Sequence, residues 1–375
     1  MVSDALNQAE KHLKAGQLME ARAILEPLLV EAPENVRLHR LLADLYIRQT
    51  DWQGLRKEME RQLGQHPPDV AEYERSYLSL LFGEMPKGWD QWESRLRIPG
   101  KVSPSRSFSQ PRWQGETFEG KTLLLYFEQG FGDTFMFLRY APLVKARGGR
   151  VMLLAQKQLA AVAATCRGID EVIVDGQPLP SFDLHLPLPS LPHVFRTELT
   201  TIPAEIPYLD VPAAVPQRER IAQRLAATEG KIRVACAWAG SPNHARDKER
   251  SIPRKLFKLL ETVPGVAWYS FQFGVMNEPP LPGLISMAPV LTTFADTAYA
   301  LSGMDLVITV DTALAHLAGA MGIPVLLMVH FQPDFRWMLH REDSPWYPSL
   351  RIYRQPSPGD WESVLMRIRQ DLSEG

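Results

Sequence analysis

The chain is poor in cysteine, and its two cysteines lie far apart. Cys166 and Cys236 form no C-x-x-C pair, which argues against a zinc site and against a disulfide framework. Long apolar runs of about 18 residues are missing, and the first residues lack the charged-then-apolar pattern of a signal peptide. We therefore expect a soluble, cytoplasmic protein that does not span a membrane.

An excess of positive charge is missing as well. The 41 basic and 43 acidic residues give a net charge of −2, which makes nucleic acid a poor candidate partner. The sequence contains no D-x-D, the paired carboxylates through which a hard cation can hold a diphosphate. It also contains no G-x-S-x-G, protein-kinase or H-E-x-x-H pattern. We expect no metal ion and no cofactor, so helix N-termini and basic side chains would have to neutralise a bound diphosphate.

What is present is the composition of an ordinary globular protein, with 45% hydrophobic and 22% charged residues. A length of 375 residues predicts two or three domains. Residues 1–98 follow helical spacing with a period of 34 residues, since Pro33 and Pro67 close successive helix pairs and Leu13 recurs as Ile47. This period resembles tetratricopeptide repeats. A generic pair of helical hairpins is the alternative.

The pattern changes beyond this helical region. Residues 99–119 are rich in proline and serine and predict a linker or a strap. Short apolar, β-rich runs then alternate with helical patterns in two blocks, 120–212 and 213–355, which predicts an α/β protein with two parallel-sheet domains facing one cleft. Residues 356–375 contain an amphipathic helix that we expect to pack back on the first of these domains.

The first candidate site is a glycine-containing loop directly after the predicted strand at 122–127. Gly130 and Gly132 permit a tight turn and close approach of a ligand to the backbone, and Gln129 lies beside them. Asp133 opens the following helix. It is either an ordinary N-cap or a carboxylate exposed at the cleft and available as a general base.

The second candidate site follows the buried strand at 232–238. Gly240 and Ser241 can present backbone N–H groups to a phosphate, and Lys248 and Arg250 supply positive charge. A solvated charged loop is the alternative. Gln272 ends a further strand, and on its own it is as well explained by a buried aromatic strand.

The third candidate site lies between two buried apolar strands, at 306–310 and 324–329. Asp311 and Thr312 supply N-cap chemistry for a helix of small residues, and Ala313 and His316 occupy its first turns. Such a loop lies beyond the carboxyl ends of the strands, where α/β sheets bind ligands, and a helix N-terminus suits an anion. This tract therefore points to a phosphate-bearing ligand.

Residues 128–140 and 311–324 resemble the two signatures of bacterial glycosyltransferases related to the heptosyltransferases. Residues 88–95 and 341–348 resemble the subgroup in which tetratricopeptide repeats precede the transferase, which includes proteins similar to flagellin glycosyltransferases. The resemblance covers essentially the whole chain. It implies a GT-B fold, in which two Rossmann-like domains follow an all-α, tetratricopeptide-like domain.

The resemblance also implies roles for the candidate residues in a metal-independent, inverting transfer. Asp133 aligns with the family's general base on the acceptor side. The donor nucleotide sugar would lie on the second domain, with the nucleobase at Gln272 and the diphosphate at Lys248 or Arg250. The donor motif aligns with four residues: Asp311, Thr312, Ala313 and His316.

Two residues depart from the family pattern: Ala313 stands where many relatives have glycine, and Met136 where they have glutamine. The leading hypothesis is transfer of a sugar to a protein recognised by residues 1–98. Transfer to a lipid or polysaccharide acceptor is the second hypothesis. An inactive transferase that serves as a repeat scaffold is the third.

Overall fold

A computed structural model of the chain describes residues 2–242, 246–260, 263–273, 283–332, 334–339 and 341–374. Part of the second candidate loop, residues 243–245, lies outside the described residues.

The first part of the chain is all helical, as predicted. The helices α1 and α2 begin at residues 2 and 18, and α3 and α4 begin at 36 and 52, so each pair is shifted by 34 positions. Asn35 and Asp51 cap α3 and α4 by accepting backbone N–H groups. The tetratricopeptide character of these pairs stays a prediction. The bounds are α1 Val2–Lys14, α2 Leu18–Glu31, α3 Val36–Arg48, α4 Trp52–Leu63, α5 Pro68–Leu81, α6 Met85–Trp92 and a 3₁₀ turn at Glu93–Arg97.

The first sheet has the strand order β3-β2-β1-β4, and its strands run parallel. Its strands are nearly continuous apolar runs, as expected for a sheet that is covered on both faces. The bounds are β1 Thr122–Tyr126, β2 Arg150–Ala155, β3 Glu171–Val174 and β4 Leu184–Pro187, with helices α7 Phe131–Phe137, α8 Ala141–Lys145, α9 Ala160–Ala163 and α10 Leu191–Val194.

The second sheet, in the described part of the chain, has the order β10-β9-β8-β5-β6-β7 and is also parallel. Its strands are β5 Ile232–Ala237, β6 Val266–Ser270, β7 Leu284–Ser286, β8 Leu306–Val310, β9 Val325–Val329 and β10 Leu350–Arg354. Its helices are α11 Arg218–Ala226, α12 Asp247–Arg250, α13 Phe294–Leu301, α14 Ala313–Ala320 and α15 Trp361–Glu374, with 3₁₀ turns at Arg254–Leu259 and Phe335–Trp337.

Both sheets reverse their strand order beside a central strand. The chain leaves β1 for β2 on one side and later returns to β4 on the other, and β5 is likewise flanked by β6 and β8. Ligands of open parallel sheets bind outside the carboxyl ends of the strands at such reversals. The loops after β1, β5 and β8, which carry the three candidate sites, therefore lie at the ligand-binding edges.

The prediction for the terminal helix is wrong. The helix α15 packs on the second sheet, where Trp361, Val364 and Ile368 join a core with Ile308 and Met328 of the sheet. The spacing of three and four residues places these side chains on one face of the helix. The other face of the second sheet is covered by helices such as α14, so α15 fills the face that those helices leave open.

Residues 99–119 form a packed strap and not a loose linker. The backbone N–H of Trp113 donates to the carbonyl of His185 in β4 at 3.0 Å, and the indole is fully buried against Phe118. The strap therefore covers the edge of the first sheet that β4 would otherwise expose.

A buried ion pair joins the helical region to the first sheet. Arg95 has no exposed surface, and its Nε donates to Oε2 of Glu128 at 2.8 Å, directly after β1. Its other nitrogens donate to Glu93 and to the hydroxyl of Ser190, both at 2.8 Å. Because Glu128 and Ser190 lie 33 and 95 positions from Arg95, the pair fixes the 3₁₀ turn after α6 against the base of the loop that carries Asp133.

We predict that Arg95→Met destabilises the protein by about 3 kcal/mol, because it keeps most of the stem but leaves the carboxylate of Glu128 buried without its cation. Urea unfolding measures this loss. Arg97→Met is the matched control, since Arg97 pairs with Asp69 and Glu72 at the surface and its loss should cost less than about 1 kcal/mol. Equal losses in the two variants would contradict a structural role for the buried pair.

Candidate functional site

A cleft of about 860 Å³ lies between the carboxyl ends of the two sheets. It brings together nearly all of the residues that the sequence predicted, from segments up to about 190 positions apart. The predicted residues that line it are Gln129, Gly130, Gly132, Asp133, Gly240, Ser241, Arg250, Gln272, Asp311, Thr312, Ala313 and His316. Lys248 does not line the cleft, because it lies exposed on α12.

The helix α14 points its N-terminus into the cleft. Thr312 has the extended backbone of an N-cap, yet among the described residues its side chain accepts no N–H group of the first turn. The N–H groups at Ala313 and Leu314 therefore lie at the cleft wall without a side-chain cap. Uncapped N–H groups and the helix dipole favour an anion at this position.

Asp133 lies on the opposite wall, in the first turn of α7. Its Oδ2 accepts the backbone N–H of Gly130 at 3.2 Å, so Gly130 is the N-cap of the helix and Asp133 is its third residue, not the N-cap that the sequence suggested. Its Oδ1 accepts a short hydrogen bond from Arg336 of the second domain, and the carboxylate remains only 16% exposed. A hydrogen bond that closes the first turn of the helix and exposure to the cleft thus coexist in one side chain.

Arg336 is a charged residue of this site that sequence reasoning missed. Its guanidinium bonds Asp334 at 2.6 Å as well as Asp133, so one cation joins the two domains. Burial disfavours the charged form, but these two carboxylates outweigh it and raise the pKa of Arg336. The guanidinium is therefore a permanent positive charge at the cleft wall.

A signal for Arg336 was present in the sequence. It lies in the loop that follows β9, as do His330 and Asp334, which also line the cleft. The rule that selected the loops after β1, β5 and β8 applies equally to this loop. The aromatic lining from Phe131 and Phe294, whose rings meet edge to face at 5.4 Å, had no comparable signal.

His316 is a buried, neutral histidine held from both sides. Its Nδ1 lies 2.9 Å from the hydroxyl of Tyr347, and its ring stacks on Trp337 at 5.4 Å. Burial, followed by the charges of Arg336 and Arg139, holds the pKa of His316 well below its ordinary value. If Tyr347 donates its proton to Nδ1, the imidazole carries its own proton on Nε2, which lies 3.9 Å from Asp311.

The two domains also approach each other closely at this histidine. A Cβ atom added at Gly132 of α7 would lie 2.8 Å from Cδ2 of His316, so only glycine allows this contact. Arg139, behind α7, is buried and donates to the carbonyl of Trp346 at 2.5 Å, while its guanidinium lies over the ring of Tyr347. The two walls of the cleft are thus packed together at one end.

Arg250 reaches the cleft over Gly240. Its Nη1 donates to the carbonyl of Asp311 at 3.0 Å, and a Cβ atom at Gly240 would lie 2.3 Å from the guanidinium. The N–H of Gly240 donates to the hydroxyl of Ser251 at 3.2 Å. The sequence left open whether Lys248 or Arg250 lies near the diphosphate position. The structure places Arg250, and not Lys248, beside the N-terminus of α14.

The side-chain amide of Gln272 hydrogen-bonds to backbone groups. Its Oε1 accepts the N–H groups of Trp238 and Ala239 at 3.0 and 2.9 Å, and its Nε2 donates to the carbonyl of Ala239 at 3.0 Å. This side chain therefore fixes the end of β5 against the end of β6. Its expected contact with a nucleobase stays a prediction.

Asp311 is a carboxyl group with an unfavourable environment. Enclosure in the cleft, together with the negative charge of Asp334, raises the pKa of Asp311 to about 6. The group is therefore ionised at neutral pH at a cost in free energy, next to the helix N-terminus.

Two features are absent from the described residues. Groups of three or more His, Cys, Asp or Glu side chains that could hold a metal ion do not occur among them. No helix in the described part of the chain has both the length and the apolar character needed to cross a bilayer.

We predict that Asp311→Asn stabilises the protein in a pH-dependent way. A raised folded-state pKa means that the carboxyl destabilises the fold as pH rises through about 4 to 6 and that the full cost applies above this range. The gain should be about 1 to 2 kcal/mol near pH 7.5 and close to zero near pH 4. Thermal melting at both pH values measures it, and an equal gain at both would contradict the assignment.

Comparison with known proteins supports this picture of the second domain. Residues 286–329 match the family model for glycosyltransferase family 9 (heptosyltransferase). Over 338 residues the chain is 26% identical to Protein FlbA of Caulobacter vibrioides, and the match covers 82% of this chain and 56% of that protein. The chain thus spans little more than half the length of this relative.

Two solved structures show distant likeness. The family 9 glycosyl transferase of Veillonella parvula is 11% identical with a TM-score of 0.49, over 65% of this chain and 88% of that one. The ADP-heptose LPS heptosyltransferase II of Escherichia coli is 11% identical with a TM-score of 0.46, over 68% and 96%. Likeness at this level does not transfer residue roles. The match to the family model falls on the segment that contains Asp311 and His316.

Proposed function

We propose that this protein is a metal-independent, inverting glycosyltransferase of GT-B architecture that uses a nucleotide sugar. The observation that carries the proposal is the uncapped N-terminus of α14, which faces Asp133 across one cleft. An anion-binding helix end and a carboxylate on opposite walls are the two groups that such a transfer requires.

The donor diphosphate belongs at the second domain. The N–H groups at Ala313 and Leu314 and the guanidinium of Arg250 converge on this wall. As the bond between the anomeric carbon and the diphosphate breaks, negative charge develops on the departing nucleoside diphosphate. Preorganised donors at that position lower the barrier because they need not reorganise during the reaction.

The acceptor belongs at the first domain. Its hydroxyl oxygen attacks the anomeric carbon from the face opposite the leaving group, and its proton passes to the carboxylate of Asp133. The new carbon–oxygen bond forms as the bond to the diphosphate breaks, so the configuration inverts. His316 acts on the donor side, where a proton on Nε2 would supply one more neutral hydrogen-bond donor beside Asp311.

We propose further that the acceptor is a protein bound by the helical region and that this region consists of tetratricopeptide-type repeats. The support is the 34-residue shift between successive helix pairs, together with the buried link of α6 to the Asp133 loop through Arg95. A module bound so firmly to the acceptor-side loop is well placed to present a peptide there.

We predict that nucleoside diphosphates, nucleotide sugars or both stabilise the protein in a thermal-shift screen. A specific ligand raises the free energy of unfolding by mass action, by roughly 2.7 kcal/mol at a concentration of 100 times the dissociation constant. The melting temperature rises accordingly. Nucleoside monophosphates serve as the control, because they lack the second phosphate. If no member of the panel stabilises the fold, the chain is a scaffold and not a transferase.

We predict that Asp133→Asn lowers the turnover number at least about 100-fold, because the hydroxyl proton loses its acceptor. Binding of the nucleoside diphosphate found in the screen should be retained, which separates a catalytic defect from misfolding. Asp183→Asn is a control variant, since this carboxylate lies at the start of β4, at the amino ends of the strands and away from the cleft. Undiminished turnover of Asp133→Asn would remove Asp133 from the mechanism.

A further inference from the structure

The loop that follows β9 lies between the helical region and the cleft. On one side, Phe331 packs against Trp52 of α4, and Phe335 meets Tyr77 of α5 edge to face at 5.6 Å. On the other side, Arg336 and its neighbours line the cleft. Adjacent residues of one short segment therefore contact the helices and the candidate site.

Phe335 is fully anchored. Its ring lies within 5.8 Å of the rings of Trp89 and Trp92, and only 1% of the residue is exposed. The backbone beyond it is also fixed, because Arg354 donates to the carbonyls of Trp337 and Met338 at 3.0 and 2.8 Å. The backbone on either side of Arg336 is therefore held by packing and hydrogen bonds, and an exchange of partners requires movement of its side chain.

The side chain of Arg336 hydrogen-bonds to the carboxylate of Asp133, which the proposed reaction needs as its base. Arg336 bonds Oδ1 of Asp133, and the N–H of Gly130 bonds Oδ2, so both oxygens already accept hydrogen bonds. A carboxylate held in this way is a poor acceptor for a hydroxyl proton, because transfer would replace a charge-assisted bond.

The same guanidinium lies beside the proposed diphosphate position. Arg336 and Arg250 line one cleft with the uncapped N-terminus of α14. A guanidinium binds phosphate oxygens in a bidentate manner and has five N–H donors. A diphosphate that enters this cleft therefore competes with Asp133 for Arg336.

We propose that Arg336 exchanges between two partners: it closes off Asp133 while the cleft is empty and moves to the donor diphosphate when the donor binds. The helical region, through Phe335, holds it within reach of both. The base is thus released only in the presence of donor, which couples donor binding to acceptor activation. This inference rests on the proposed function.

A double-mutant cycle tests the exchange. Inorganic pyrophosphate is titrated calorimetrically into the full-length wild type, Asp133→Asn, Arg336→Gln and the double variant. Arg336→Gln should weaken binding about tenfold, and Asp133→Asn should tighten it at least about threefold by removing the competing carboxylate. In the Arg336→Gln background the gain from Asp133→Asn should largely vanish, because there is no guanidinium left to release.

Simple repulsion between Asp133 and pyrophosphate predicts a different cycle. It tightens binding by the same factor in both backgrounds, and that result would overturn the exchange. Unchanged binding in Arg336→Gln would overturn it as well. If neither pyrophosphate nor any nucleoside diphosphate binds the wild type, the proposed function itself fails. Binding without coupling removes only the inference about Arg336.

The contribution of the helical region is tested with Tyr77→Leu, which removes the half-buried ring that packs against Phe335. Pyrophosphate binding should weaken about threefold, and the same change should have no further effect in the Arg336→Gln background. Phe108→Leu is the matched control, a half-buried ring that packs edge to face on Tyr126 at 5.4 Å, away from the cleft. Equal binding by the two variants at similar melting temperatures would exclude positioning through Tyr77.

Discussion

The arrangement of this molecule depends on a buried cation, Arg95, that is surrounded by partners from three segments. Its guanidinium bonds Glu93 beside it, Glu128 at the end of β1 and Ser190 near β4. A buried charge of this kind is tolerated only when its donors are matched, so the three segments must be in place together. The helical region, the first sheet and the start of the Asp133 loop are consequently positioned by one interaction.

The same constraint explains why the helical region and the cleft form one structure. The last helices, α5 and α6, contribute Tyr73 and Trp89, respectively, to the core that also contains both sheets. Helices α1 to α3 have a separate core of their own. The helical region is therefore divided by packing: α1 to α3 share a core of their own, whereas α5 and α6 share the core of the two sheets.

The cleft is organised by charge balance across the two domains. Asp133 comes from the first domain, Asp311 and Asp334 from the second, and Arg336 lies among them. Arg246 and Arg250 also line the cleft, so three guanidinium groups balance its three carboxylates. A ligand that draws Arg336 away must bring its own cations or use those already present, and Arg250 with the end of α14 fulfils that second condition.

The sequence by itself determined the local elements and which loops carry chemistry. Near-continuous apolar runs specify buried parallel strands, and the polar residues directly after β1, β5 and β8 must lie at the carboxyl edges of those strands. Tertiary structure alone decided the rest. It joined Arg336 to Asp133, 203 positions earlier in the chain, left Lys248 outside the cleft and placed α15 on the second sheet. Local patterns cannot fix such pairings, because they depend on which surfaces remain uncovered once the two domains have packed, and no short segment of sequence carries that information.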